Sequence, residues 1–383
     1  MTDKTMPALR FRGFYDAWEQ RNLENEVISI GTGRSDSTSG IKKSREFLFP
    51  VLGSTSVISY DNKYDYSGEF VLTARVGANA GNLYKYKGNV KISDNTVYIQ
   101  ATNLNFIFYL LMKFNVKKLS FGTGQPLVKA SELKKLNLYF PINGEEQKKI
   151  GSLFNQLENL ITQNERKIDL LKQLKQAYLQ KIFNQELRFT GFSDDWEERD
   201  LSAISDKVTE KNKENQFSET FTNSAEYGII NQRDFFDKDI SNEKNLNGYY
   251  IVHENDFVYN PRISNYAPVG PIKRNKLGRT GVMSPLYYVF RSRGVDKKYL
   301  EYYFDTTAWH IFLKMNGDSG ARSDRFAIKD SVFNQMPISY PTIGEQEQIG
   351  SFFEKLDKAI PLHQQKLNLL KKQKQAYLQK MFI

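Results

Sequence analysis

The feature that most constrains this chain is a long amphipathic stretch that it contains twice. Residues 146–183 read EQKKIGSLFNQLENLITQNERKIDLLKQLKQAYLQKIF, and residues 345–382 read EQEQIGSFFEKLDKAIPLHQQKLNLLKKQKQAYLQKMF. The two stretches align without a gap and match at about half of their positions, which is typical of an internal repeat. The chain therefore contains one structural element in two copies.

In each copy, apolar side chains recur at spacings of four and three residues, which places one apolar seam along an α-helix of about ten turns. The predicted seam residues are Ile150, Phe154, Leu157, Ile161, Ile168, Leu171, Tyr178 and Ile182 in the first copy and Ile349, Phe353, Leu356, Ile360, Leu367, Leu370, Tyr377 and Met381 in the second. Such a seam needs an apolar partner, and each copy offers one to the other. We therefore expect the two helices, each roughly 55 Å long, to pack as a coiled coil that also acts as a spacer.

Polar residues interrupt both seams at equivalent positions. Asn164 and His363 share one such position, and Lys175 and Lys374 share another. A polar residue within a seam usually fixes the register of the helices at some cost in stability. This role is favoured for His363 over that of a metal ligand.

A second, shorter repeat precedes each of the two variable regions. Residues 9–23 read LRFRGFYDAWEQRNL and residues 187–201 read LRFTGFSDDWEERDL. We interpret Trp18 and Trp196 as packing anchors that dock the start of each variable region on the end of a long helix.

Between the helices, short apolar runs alternate with Gly, Asn and Asp, which predicts strands and turns. Leu104–Phe114 and Tyr299–Leu313 are predicted as equivalent helices. We predict an α+β protein with two similar mixed α/β domains, residues 1–143 and 187–341, joined by the helical segments 144–186 and 342–383. The predicted alignment of the two domains pairs Phe70 with Phe257, Val71 with Val258 and Arg75 with Arg262.

Charge and composition narrow the range of functions. The formal net charge of +10 favours a polyanionic partner, although charge alone also fits a merely basic surface. Nucleic acid is favoured because Arg and Lys are interleaved with Tyr, Asn and Gln, which can contact base edges. The absence of cysteine and the presence of only three histidines leave little for metal or thiolate chemistry.

No catalytic motif is present that we would assign to an enzyme. The sequence lacks the GxxxxGK motif of a phosphate-binding loop. The tetrapeptide Asn260-Pro261-Arg262-Ile263 lacks the aromatic residue of the amino-methyltransferase motif. The start of the sequence lacks an apolar targeting region, and the longest apolar run is only Phe106–Met112, so we expect a cytoplasmic protein without a membrane segment.

The candidate DNA contacts are basic, amide and aromatic residues of the two variable regions. Arg75 and Arg262 each follow an apolar strand, and their predicted equivalence favours a shared role in phosphate positioning or in the fold, with a structural ion pair as the alternative. The residues that differ between the regions are the candidates for base recognition. These are Arg34, Lys42, Lys43, Asn79, Tyr84, Lys85 and Gln125 in the first region and Gln232, Arg233, Asn260, Asn265, Tyr266, Lys273, Arg274, Arg322 and Arg325 in the second.

The order of variable region, long helix, variable region and long helix resembles the specificity (S) subunit of type I restriction-modification systems. The resemblance is carried by EQxxIGSxF at the start of each helix, KQAYLQKxF at its end and WExRxL at the start of each variable region. It implies a non-catalytic subunit whose two target-recognition domains each read half of an asymmetric, split site in double-stranded DNA. It also implies that the two helices pack antiparallel and set the gap between the half-sites.

The same resemblance implies the partners. Two modification subunits, which carry S-adenosylmethionine and the adenine-methylating site, would dock on the helices, and restriction subunits that use ATP and Mg would join them. On this view the chain itself holds no cofactor. Two alternatives remain at this stage: a basic coiled-coil scaffold for proteins, and a self-contained DNA-modifying enzyme.

Overall fold

The computed structural model describes residues 5–36, 40–120, 126–235, 243–318 and 324–383. The chain divides into two compact units, of which the first comprises Met1–Lys167 together with His363–Ile383 and the second comprises Ile168–Leu362. Within the described ranges, no helix combines the length and the apolar character needed to span a lipid bilayer.

The first unit is built on a mixed sheet. Its elements are β1 (Glu19–Asn22), β2 (Ser29–Thr32), β3 (Phe49–Leu52), β4 (Val57–Asp61), β5 (Tyr66–Ala74), β6 (Leu83–Ile92), β7 (Thr96–Gln100), α1 (Leu104–Phe114), α2 (Ala130–Lys134), β8 (Asn137–Phe140) and α3 (Gly144–Phe183), with 3₁₀ turns at Leu23–Glu26 and Val116–Ser120. The six-stranded sheet has the order β2-β7-β5-β6-β3-β4, and β1 pairs with β8. All of these pairings are antiparallel except that of β3 with β6.

The second unit uses smaller sheets. Its elements are β9 (Glu197–Asp200), α4 (Leu201–Ile204), β10 (Ser205–Lys207), β11 (Phe221–Ser224), β12 (Gly228–Asn231), α5 (Gln232–Phe235), β13 (Tyr250–Val252), β14 (Phe257–Tyr259), β15 (Ile272–Arg274), β16 (Gly281–Met283), β17 (Tyr288–Ser292), α6 (Lys297–Phe304), α7 (Ala308–Asn316), α8 (Asp330–Phe333), β18 (Pro337–Tyr340) and α9 (Ile343–Lys380), with a 3₁₀ turn at Glu243–Gly248. The largest sheet has the order β10-β17-β14-β15, and β11-β12, β13-β16 and β18-β9 form pairs.

The structure confirms the two long helices as α3 and α9, and α1 has the predicted bounds. The single helix predicted for Tyr299–Leu313 is wrong, because the chain breaks there into α6 and α7. Thr306 explains the break, since its hydroxyl donates to the carbonyl of Tyr303 at 2.7 Å and accepts the amide of Ala308 at 3.3 Å. A side chain that bonds nearby backbone in this way offers an alternative to continuing the helix.

Within each unit, a segment of α3 lies beside a segment of α9 and runs in the opposite direction. In the first unit, Phe154 packs near Phe382, with ring centroids 5.6 Å apart, and farther along α3 Glu165 pairs with Lys371 at 2.7 Å. In the second unit, Lys175 pairs with Asp357 at 2.6 Å, and Tyr178 packs on Phe352. The predicted seam residues are all buried or half-buried.

The predicted interruptions of the seam have partners. Lys175 binds Asp357, and its equivalent Lys374 binds Glu158, the residue equivalent to Asp357. His363 Nδ1 lies 3.3 Å from Asn164 Oδ1. Burial, together with Lys167 and Lys366, lowers the pKa of His363. The two copies therefore meet through the same polar positions in both units.

In each unit, an ion pair that we call the clamp joins the short repeat to the first turn of a long helix. Arg10 forms a bidentate ion pair with Glu146, and Arg188 forms the same pair with Glu345. Both glutamates are only 1% exposed. Trp18 packs edge-on against Phe106 and Phe382, while Trp196 donates to Glu345 at 3.0 Å. The interpretation of both tryptophans as packing anchors is confirmed.

Each unit has one main apolar core and a smaller one on the far face of its sheet. In the first unit, Val71 of β5 faces the main core with Trp18, whereas Phe70 and Leu72 face the smaller core. In the second unit, Phe257 and Tyr259 of β14 face the main core, and Val258 faces the smaller one. The central strand of each unit is thus buried on both faces.

Candidate nucleic-acid interface

The pairing of the strands corrects the predicted alignment of the two variable regions. Val71 pairs with Ile99 and Lys85, and Phe257 pairs with Phe290 and Arg274 in the matching arrangement of strands. Val71 and Phe257 also face the main core of their units. The prediction that paired Phe70 with Phe257 is therefore wrong by one residue, and such a slip moves every side chain to the other face of the sheet.

In the corrected alignment, Arg75 and Arg262 no longer occupy equivalent positions. In the first unit, the amide of Val128 donates to Arg75 O at 2.8 Å, and in the second the amide of Phe326 donates to Pro261 O at 2.7 Å. Arg75 is thus equivalent to Pro261, and Arg262 is equivalent to Val76. The predicted equivalence of the two arginines is therefore wrong, and the role of each as a DNA contact stays a separate prediction.

The second unit brings five predicted DNA contacts together in one place. Two adjoining hollows, of about 390 Å³ and about 280 Å³, share Thr222, Asn260, Arg262 and Tyr287 in their walls. We call them together the β14 cleft, because Asn260 directly follows that strand. Gln232 and Arg325 line one hollow and Tyr266 lines the other. The structure thus groups Gln232, Asn260, Arg262, Tyr266 and Arg325.

Two arginines face each other across this cleft. Arg262 and Arg325 are directly opposite in an antiparallel bridge. Like charges in such a position are destabilising unless something neutralises them. The carboxylate of Asp324 lies 3.7 Å from Arg262, and both of these side chains are more than half exposed. An anion in the cleft would relieve the repulsion between the arginines.

Aromatic and hydroxyl groups complete the walls. Tyr266 is 82% exposed at the lip of the cleft. The hydroxyls of Thr222 and Tyr287 lie 3.1 Å apart. An exposed aromatic ring, hydroxyls and arginines are the groups that proteins use to contact nucleic acid.

Several predicted contacts are instead engaged within the domain. Lys85 donates to Asn105 at 2.8 Å and to Asn155 at 3.2 Å, and burial lowers its pKa. Arg274, at the equivalent strand position, is paired with Glu301 at 2.6 Å. Lys273 is paired with Asp305 at 2.7 Å. These cations hold the sheet to neighbouring helices or loops, so they stay predictions as DNA contacts and would have to exchange these partners for DNA.

Tyr84 and Asn260 are also structural. Tyr84 donates its hydroxyl to the carbonyl of Gly53, and burial raises its pKa. Asn260 donates to Asn223 O at 2.8 Å and accepts the amide of Arg262 at 3.0 Å. Asn260 shapes the cleft through these two bonds, which use one of its two Nδ2–H donors and one of the two lone pairs of Oδ1.

The remaining candidates lie on loops or at the surface. Arg34, Lys42, Lys43, Asn79, Arg233 and Asn265 are exposed. Asn79 accepts from Asn82, and Arg75 donates to Asp94 O at 3.3 Å. Gln125 and Arg322 lie outside the described residues. The exposed residues stay predictions.

Sequence reasoning missed Thr222, Asn223 and Tyr287, which line the β14 cleft. Thr222 and Asn223 lie on β11 and are buried, so they are polar residues within a buried strand. Buried polar side chains normally need a specific partner. Their burial is known only from the structure, so no signal in the sequence singled them out.

Comparison with known proteins now identifies the family. The family model described as "Type I restriction modification DNA specificity domain" matches residues 15–173 and 193–372. The chain therefore belongs to the family of type I restriction-modification specificity subunits, and its two matches correspond to two target-recognition domains.

Individual relatives agree with this assignment. The specificity subunit of the type I restriction enzyme EcoprrI from Escherichia coli is 25% identical over 152 residues, which is 38% of each chain. The MjaVIII specificity subunit from Methanocaldococcus jannaschii is 22% identical over 78% of this chain and 74% of that one. The crystal structure of a type I S subunit from M. genitalium is similar in fold, with a TM-score of 0.62, 14% identity and 99% of both chains covered.

Proposed function

We propose that this chain is the non-catalytic DNA-reading subunit of a type I restriction-modification complex. Each recognition domain reads one half of an asymmetric, split DNA site. The proposal depends on one comparison between the two units. Both units repeat the arginine–glutamate pairs and the polar contacts between the helices, but they differ at one bridge. Val76 pairs with Leu127 in the first unit, whereas Arg262 pairs with Arg325 in the second. A shared scaffold with different surface chemistry suits two different half-sites.

The long helices are proposed to form one antiparallel coiled coil that sets the gap between the half-sites. The equivalent pairs of Lys175 with Asp357 and of Lys374 with Glu158 support this role, because they fix the helix register in the same way in each unit. Recognition domains related by a pseudo-two-fold axis suit half-sites about one turn of DNA apart, roughly 34 Å.

The partners follow from the family and belong to the proposal. Two modification subunits dock on the helices and bind S-adenosylmethionine, and restriction subunits supply ATP- and Mg-dependent cleavage. In this proposal the chain itself binds the DNA and positions the partner subunits on it. Exposed leucines on the outer surface of the helices, such as Leu170, Leu174 and Leu362, offer apolar surface for such docking.

Methylation sequencing of cells that carry this chain with its partner genes tests the proposal. We expect methylated adenines in a site of two different half-sequences separated by an unspecified gap. Insertion of residues at the junction 184–186 is expected to change only the gap. A palindromic or continuous site, or the absence of sequence-specific methylation, would contradict the proposal.

A further inference from the structure

Two residues that line the β14 cleft have a side-chain acceptor oxygen without a hydrogen-bond partner in the part of the chain that the structure describes. Gln232 Oε1 and Asn223 Oδ1 are buried, and neither has a hydrogen-bond partner among the described residues. Leaving a buried carbonyl oxygen without a donor costs free energy, so native proteins rarely do it without a reason. Both residues line the cleft that holds Arg262.

The orientation of the Asn223 side chain is fixed by its own hydrogen bonds. Asn223 is 2% exposed, and its Nδ2 donates to Val258 O at 2.7 Å and to Pro271 O at 3.2 Å. Because two carbonyl oxygens hold the amide nitrogen, the oxygen must face the other way. Asn223 therefore has only an acceptor left.

Gln232 differs from Asn223. Its backbone amide is anchored to Thr220 O at 2.8 Å, where β12 passes into α5. Its side chain is only half-buried, and turning Oε1 toward the cleft breaks no hydrogen bond of that oxygen. Gln232 thus lines the cleft with a half-buried amide whose carbonyl oxygen has no partner among the described residues that a ligand would have to displace.

The ligand must bring N–H donors to a site beside two arginines. In the major groove of DNA, the bases that present such donors are adenine, at N6, and cytosine, at N4. A glutamine amide matches adenine in particular, because it can accept from N6 and donate to N7 together. Arg262 and Arg325 supply the positive charge that neighbouring phosphates require.

We propose that Gln232 reads one adenine of the half-site bound by the second recognition domain, with Asn223 as a supporting acceptor. The inference rests on the proposed function, and it adds which residue recognises which base. Arg262 and Arg325 hold the DNA backbone beside the base that Gln232 contacts.

Methylation sequencing of the full complex tests this assignment with two variants. Gln232→Leu keeps the size of the side chain and removes its hydrogen bonds, so the preference for adenine at one position should fall roughly 5- to 150-fold. Gln232→Glu keeps the acceptor and loses the donor, so the same position should shift toward cytosine. The other half-site and the gap should stay unchanged in both variants.

Gln216→Leu is the matched control, since Gln216 is an exposed glutamine of the same unit that donates to Glu214 at 3.0 Å and does not line the cleft. Thermal unfolding of each complex shows whether the variants fold. An unchanged split site in both Gln232 variants would overturn the assignment and leave the proposed function standing. Loss of methylation in both, with lower thermal stability, would make Gln232 a folding residue and also overturn it. A wild-type complex without sequence-specific methylation would overturn both proposals.

Discussion

The two recognition domains use one scaffold but differ at the same strand position. Val76 bridges Leu127 in the first unit, and Arg262 bridges Arg325 in the second. An apolar pair offers nothing to an anion, whereas two opposed arginines, of which Arg262 has only the exposed Asp324 nearby as an acidic partner among the described residues, favour one. In this chain, the contacts that join each domain to a long helix are repeated, whereas the residues of this bridge differ in chemistry between the domains.

The contacts that join each domain to a long helix are, by contrast, nearly the same in the two units. The pairs of Arg10 with Glu146 and of Arg188 with Glu345 anchor each domain to a helix start. One detail differs, since Glu345 also accepts from Trp196, whereas Trp18 Nε1 has no partner among the described residues. The similarity of the two ion pairs, and the extra bond from Trp196, can be tested by making the same substitution in both units.

The largest effect is expected from the buried glutamates. Glu146→Ala and Glu345→Ala each leave an arginine without its partner, so each should lower the free energy of unfolding by about 3–5 kcal/mol. Glu345→Ala should cost about 1 kcal/mol more, because it also loses the bond from Trp196.

Urea unfolding followed by tryptophan fluorescence measures both glutamate variants. Glu197→Ala is the control, because Glu197 lies in an exposed ion pair with Arg199 and should matter little. A cost for Glu146→Ala no greater than that of Glu197→Ala would show that the first clamp does not stabilise its domain.

Next is the arginine bridge of the second unit. The double variant Arg262→Val/Arg325→Leu gives the second domain the apolar character of the first. The slope of log K against log salt for DNA binding should become shallower by about 0.9 for each phosphate that the variant no longer neutralises. Fluorescence anisotropy with duplex DNA over a range of salt concentrations measures the slope.

Arg279→Val serves as the control for the arginine bridge, since Arg279 is already paired with Glu219 at 2.7 Å. Equal slopes for the wild-type protein and the double variant would mean that the β14 cleft does not contact phosphate.

A smaller effect is expected from the lysines of the helix contact. Lys175→Met and Lys374→Met each remove an ion pair between the helices, at a cost of about 1–2 kcal/mol. Since the two pairs are equivalent, the decreases in stability measured by urea unfolding should be similar. A decrease confined to one variant would argue against equal helix contacts in the two units.

The smallest effect concerns pH. Burial lowers the pKa of His363 below 6.5, so the unfolded chain binds a proton at this residue more readily than the folded chain. Its contribution to stability is present above about pH 6.5 and is lost as the pH falls through the folded pKa. His363→Asn, which copies Asn164, should flatten this part of the stability curve.

His310 provides the control for the pH measurement. Its pKa is also lowered by burial, so His363→Asn should leave a residual pH dependence that His310→Asn reduces further. Unfolding measured from pH 5 to pH 8 separates the two contributions. An identical pH curve for wild type and His363→Asn would exclude this role.

Much of the scaffold was predictable because repeats preserve it. Lys175 and Lys374 interrupt the seam at matching places, and each binds an acidic residue of the other helix. The tryptophan anchors followed from the shorter repeat in the same way. These features depend on local pattern, which a sequence displays directly.

The register of the central strands was not predictable, for a physical reason. Phe70, Val71 and Leu72 are all buried, as are Phe257, Val258 and Tyr259, so neither strand alternates between apolar and polar residues. Without alternation, a sequence does not reveal which face each side chain occupies. For the same reason the sequence did not reveal that Lys85 and Arg274 lie at equivalent strand positions and have partners within their own domains.

One feature of the first unit bears on how the chain is made. Its core combines Trp18 and Phe106 with Phe382, and the amide of Leu9 donates to Lys380 O at 2.9 Å. The second unit, by contrast, is one uninterrupted stretch of chain. During synthesis the second unit is therefore completed before the ribosome adds Phe382, and the core of the first unit, although begun earlier, cannot close until that residue has been added.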